Sequence, residues 1–131
     1  MFRRFTIPLI LGVLLFGLTA CSGAGNAINV TTTDFQFEPT TWSVSAGKPV
    51  KLTLTNKGAL EHEWVLLKKD TAVTVPFDAD DEPKVFWEIE AQPGQTKTET
   101  FTAPSEPGTY TVVCGTPAHI EQGMVATLEV K

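Results

Sequence analysis

The chain is poor in the side chains that build most metal and nucleophile centres. It holds two cysteines, two histidines and two methionines, one of which is Met1. Two sulfurs exclude a four-thiolate zinc or iron–sulfur site. A multi-metal oxidase centre needs more imidazoles than His62 and His119 supply. Basic residues are also scarce, ten against fifteen acidic, for a net charge of −5. Nucleic acids are bound through clustered Lys and Arg, so they are excluded as partners. A helix needs about 20 consecutive apolar residues to span a bilayer, and the apolar run from Ile7 to Leu18 stops well short. No segment sustains a 3.6-residue period, and no internal repeat is present.

What the N-terminus does contain is an export pattern. Arg3 and Arg4 form a charged start, Ile7 to Leu18 an apolar centre, and Leu18, Thr19, Ala20 and Cys21 a small-residue processing site;. These four residues resemble a bacterial lipobox, so residues 1–20 are expected to be a signal peptide and Cys21 a lipidated N-terminus. The competing reading is simple cleavage, with Cys21 free to pair with Cys114 in an oxidising compartment. Residues 21–26 read as a short flexible tether, which places a single domain, residues 27–131, close to an extracytoplasmic membrane surface.

Within that domain the pattern is strands and turns. Val50, Leu52 and Leu54 alternate with Lys51, Thr53 and Thr55, the period of two expected of a half-buried strand;. Further strands are expected over 28–33, 42–44, 63–67, 85–91, 96–102, 109–114 and 124–130, with 85–91 and 96–102 as a hairpin about Gln92–Gln95. Eight short strands at this spacing predict an all-β, Greek-key antiparallel β-sandwich. Residues 68–84 are the least readable stretch. Its acidic cluster of Asp78, Asp80, Asp81 and Glu82 reads as a solvated loop or a surface that steers a basic partner.

The chemistry concentrates in residues 114–124. Cys114, His119 and Met124 stand at i, i+5 and i+10, at the end of one strand and the start of the next. A loop returning on itself would aim all three at one point, and His62 at the head of another strand would complete the set. Two imidazoles, one thiolate and one thioether suit copper cycling between two oxidation states. Each residue also has an ordinary alternative: a buried Cys or Met is usually core filler. A coincidental loop and a redox-inactive metal site stay open on spacing alone.

The residues resemble those of the cupredoxins, the small blue-copper proteins, over nearly the whole domain. The Cys-x4-His-x4-Met loop is similar to that of auracyanin and rusticyanin. The stretches 37–47, 62–66 and 108–114 resemble the family's second strand, first-ligand strand and Cys-bearing strand. The resemblance implies one type 1 copper ion, with His62, Cys114 and His119 as equatorial ligands and Met124 as the axial one. It further implies that His119 lies at the domain edge as the electron's exit. Where relatives often carry Asn after the first ligand this chain has Glu63, and strand alternation makes Glu61 and Glu63 surface charges.

Ala59, Leu60, Pro117, Ala118 and Ile120 would surround the exit with an uncharged docking patch for a redox donor or acceptor such as a cytochrome or a membrane respiratory or photosynthetic complex. The resulting expectation is a monomeric, lipid-anchored electron carrier on the outer face of a membrane or in a periplasm, and no enzyme. The alternative is an extracytoplasmic copper carrier or sensor without electron traffic.

Overall fold

The computed structural model describes residues 26–131. The expected signal peptide, Cys21 and most of the tether lie outside them. Asn26 is already held: its side-chain oxygen accepts from the Ser45 N–H and its carbonyl from the Lys51 N–H.

Nine strands follow: β1 (Ala27–Thr33), β2 (Gln36–Glu38), β3 (Thr41–Val44), β4 (Pro49–Asn56), β5 (His62–Leu67), β6 (Val85–Ala91), β7 (Thr96–Thr102), β8 (Gly108–Val113) and β9 (Val125–Val130). They form two sheets, in the orders β2-β1-β4-β7 and β3-β9-β8-β5-β6. The sandwich is as expected, with the three-residue β2 added. Two of its neighbouring pairs, β1 with β4 and β3 with β9, run parallel. The chain changes sheets between β2 and β3, and strands distant in sequence are then free to pair in either direction.

Alternation sets the core. Ile28 and Val30 of β1, Val50, Leu52 and Leu54 of β4, Tyr110 and Val112 of β8, and Leu128 and Val130 of β9 are all buried between the sheets. β6 and β7 do not form the expected hairpin: β6 pairs with β5, and β7 with β4 in the opposite sheet. The turn at Gln92–Gln95 is real, with the Gln95 N–H donating to the Gln92 carbonyl and Gly94 at φ 76°. It carries the chain across the sandwich instead of back along it. The reason is aromatic packing: Trp87 stacks on Phe101 with centroids 4.4 Å apart, joining the strands face to face where edge pairing would separate the rings;.

β5 is buried on both faces. His62, Trp64 and Leu66 point inward, while Val65 and Leu67 join Val113 in a second cluster covered by Val73, Phe77, Val85 and Ile120. The excursion 68–84 is therefore a cover for the outer face of this sheet. It ends in a short 3₁₀ helix, Ala79–Lys84, capped by Asp78, whose carboxylate accepts from the Asp80 N–H.

Asp81 is buried there, accepting from Thr74 and Lys84, and these contacts with the Asp78 N–H hold its carboxyl down to about 2. Two members of the acidic cluster thus build the cover, and Asp80 and Glu82 remain exposed. A carboxyl pKa depressed on folding contributes stability that is present above the unfolded value and lost as pH falls through the folded one. The urea midpoint of the wild type is expected to fall between about pH 4 and pH 2 on this account;. Asp81→Asn should have a lower midpoint at neutral pH and a flatter acid limb, converging on the wild type near pH 2.

Candidate metal centre

Strand parity delivers two of the site residues. Tyr110, Val112 and Cys114 occupy successive inward positions at the end of β8, and His62, Trp64 and Leu66 do so along β5;. β5 and β8 are neighbours, with Val65 opposite Val113, so the thiol and the first imidazole emerge at the same end of the core. The loop 115–123 supplies the rest. The His119 N–H donates to the Thr116 carbonyl, and the His119 carbonyl accepts from the N–H groups of both Gln122 and Met124. The Cys114 N–H donates to the Met124 carbonyl, which closes the loop at its base. Ala118, just before His119, sits at φ 68°, a left-handed conformation that costs a non-glycine residue about 1–2 kcal/mol;. Such strain concentrates at sites where geometry matters more than local comfort.

The result is a tight cluster. Cys114 Sγ lies 3.3 Å from His119 Nδ1 and 3.9 Å from His62 Nδ1, and the two imidazole centroids are 4.9 Å apart. Exposure is 0% for His62 and Cys114, 3% for His119 and 1% for Met124. Burial holds both imidazoles below their ordinary pKa, and in His119 the neighbouring His62 adds to the effect. Burial thus favours the neutral form of both rings, the form that keeps a lone pair for a metal;. Burial raises the Cys114 thiol, against hydrogen bonds from the Glu63 N–H (3.4 Å to Sγ) and from Thr116. Metal uptake must then displace a proton from sulfur. Two imidazoles, a thiolate and a thioether in one dry pocket are a donor set that fits copper. The ligand atoms of His62, Cys114 and His119 lie within 4.8 Å of one another, and Met124 is buried where the same loop closes on Cys114, which together fit a type 1 copper site.

Other expectations change. His119 is 3% exposed, the most of the four, and Phe35, itself 39% exposed, meets its ring edge-on at 5.1 Å. Ala59, Leu60, Pro117 and Ala118 are exposed, whereas Ile120 is half-buried against the second cluster. Glu63 is not a plain surface charge. It is half-buried over Gly115, where an added Cβ would strike its carboxylate. Burial, then Glu88, Glu61 and Glu90, push its pKa up to about 7.

Three contributors escaped the sequence reading. Asn56 is buried and donates to the carbonyls of Leu60 and Ala91 while accepting from the Gly58 N–H, which pins the loop before His62. Asp34 and Phe35 touch the two ligand imidazoles from the β1–β2 turn. The Asn56–Gly58 pattern carried a local signal; Asp34 is 28 residues from His62 and carried none.

Comparison with known proteins agrees with this geometry. The sequence profile of the copper-binding proteins of the plastocyanin/azurin family matches residues 24–131. Auracyanin-B of Chloroflexus aurantiacus is 32% identical over 110 residues, covering 72% of this chain and 46% of its own length. The chain thus spans about half of that curated relative. Reduced auracyanin of Roseiflexus castenholzii superposes with a TM-score of 0.69 at 26% identity, over 83% of this chain and 99% of that one. Auracyanin A of Chloroflexus aurantiacus, described as a blue copper protein, gives 0.68 at 28% identity, over 80% and 98%.

Proposed function

This chain belongs to the plastocyanin/azurin family of copper-binding proteins, and from that premise we propose that it shuttles single electrons between redox proteins outside the cytoplasm and performs no bond chemistry. The observation that carries the reading is the enclosure of all four ligands, none more than 3% exposed. Copper, when bound, supplies the one-electron couple. The protein's part is to hold donors suited to both oxidation states in a packed frame that excludes water, so that little rearranges as charge changes.

His119 lies nearest the surface through Phe35, and Leu60, Ala59, Pro117 and Ala118 are exposed apolar residues on the flanking loops. We assign these residues as the docking face for a donor or acceptor such as a cytochrome, since a small apolar patch desolvates easily for brief contact. Lipidation of Cys21 would keep that face near a membrane.

Redox cycling of the copper-loaded protein separates this reading from the copper carrier. Electron transfer requires the visible band to bleach on reduction and return in full on reoxidation. Copper lost to a chelator on reduction would favour the carrier. Fatty-acid labelling of wild type against Cys21→Ser tests the anchor. Met124→Leu is expected to keep copper and colour but raise the reduction potential by on the order of 60 mV, a tenfold shift in the couple. The thioether offers the more highly charged ion a donor that leucine lacks. An unchanged potential in a redox titration would remove Met124 from the ligand set.

A further inference from the structure

We propose that Asp34 is the outer partner of the ligand His62 and that its carboxylate biases the centre toward the oxidised state. His62 directs Nδ1 at Cys114, which leaves Nε2 on the far side of the ring. Asp34 Oδ1 lies 3.4 Å from Nε2, and the His62 side chain has no exposed surface through which water would serve instead. The same oxygen accepts from the Ala59 N–H at 2.9 Å and the Leu60 N–H at 3.4 Å. The carboxylate is thus held by the loop that leads into His62.

Gly58 is an independent sign that this approach is built in. A Cβ at Gly58 would fall 2.4 Å from Asp34 Oδ1 and 2.8 Å from His62 Nε2, so any side chain there would push the pair apart. Phe35, the next residue in the turn, takes φ 66° and meets His119. One short turn therefore reaches both imidazoles, at the cost of a left-handed backbone at a bulky residue.

The chemistry gives the sign. An imidazole that donates its outer N–H to a carboxylate is a stronger donor through its inner nitrogen than one that faces a neutral acceptor. The added electron density and the negative charge favour Cu(II) over Cu(I). Asp34 is a positioning and tuning residue, not a ligand. The inference rests on copper occupying the site.

The test is a redox titration, with visible spectra, of copper-loaded wild type, Asp34→Asn, Gly58→Ala and Glu121→Gln at one pH and ionic strength. Asn keeps an oxygen that accepts from Nε2–H and loses only the charge. Asp34→Asn is expected to stay blue while the couple shifts about tenfold toward the reduced ion, or about 59 mV upward. Gly58→Ala keeps the charge but displaces it, and should shift the couple in the same direction. Glu121 is an exposed carboxylate whose charge reaches His119 without a hydrogen bond, and Glu121→Gln should shift the couple by less than a third as much. A blue, reversible wild type with an unmoved Asp34→Asn would overturn the inference. So would an equal shift in Glu121→Gln, which would make the effect one of general charge. A colourless wild type would instead overturn the copper reading itself.

Discussion

Cys114→Ala is expected to abolish the intense visible absorption of the copper-loaded protein, together with all reversible electron uptake at the site. The colour of such a centre arises from charge transfer between thiolate and copper, and no other residue of the cluster offers a thiolate. Among the described residues Cys114 is the one free cysteine, fully buried and within 4 Å of both ligand imidazoles.

The loss should be complete, since two imidazoles and a thioether supply no comparable transition. The substitution removes one atom from the core, so unfolding of the metal-free domain should change by only about 1 kcal/mol. Absorption and urea unfolding, measured side by side, separate loss of ligand from loss of fold. Cys21→Ala is the matched control and should remain blue. A blue Cys114→Ala protein would refute the ligand assignment outright.

Trp64→Ala is the substitution expected to cost most stability, about 3–5 kcal/mol. Trp64 has no exposed surface and sits at the centre of an aromatic group, 5.7 Å from Trp42, 6.1 Å from Trp87 and 6.0 Å from Phe101 between centroids. Removing the indole would open a cavity that both sheets line. Domains of this size have 5–15 kcal/mol in total, and about 4–8 °C of Tm goes with each kcal/mol. The melting temperature should therefore fall by roughly 15–30 °C.

Trp64 also lies two residues from His62 on the same inward face, so copper retention should weaken before global unfolding. Trp64→Phe separates packing from polarity. The indole N–H has no hydrogen-bond partner, and Phe keeps most of the ring while removing that orphan donor. Its cost in thermal melting should be well below that of alanine.

The part of the centre legible in the sequence was the part written locally. Cys114, His119 and Met124 fall in one loop, and their regular spacing was visible because that loop closes through its own backbone hydrogen bonds. Val50, Leu52 and Leu54 showed their strand because a two-sheet core imposes strict alternation on β4;. β5 was harder. Its continuous apolar run reflects burial on both faces, and the second face exists only because residues 68–84 fold over it. That cover has no periodicity to read, since its order comes from a capped 3₁₀ turn and the contacts of Asp81 with Thr74 and Lys84.

The hairpin expected for β6 and β7 failed for a related reason. A tight turn specifies that the chain reverses. It does not specify whether the two strands meet edge to edge or lie in facing sheets, and Trp87 on Phe101 settled that.

By itself, then, the sequence determined the class of fold, the inventory of donors and the single loop that could gather three of them. The reasons are alternation, scarcity and spacing, all of which act within a few residues. Only the tertiary structure decided what surrounds those donors. Phe35 closes over His119, Glu63 is drawn inward against Gly115, and Asp34 reaches His62 across 28 residues through the space left by Gly58. Such contacts depend on where separate strands end in space, and no local pattern of residue types encodes that.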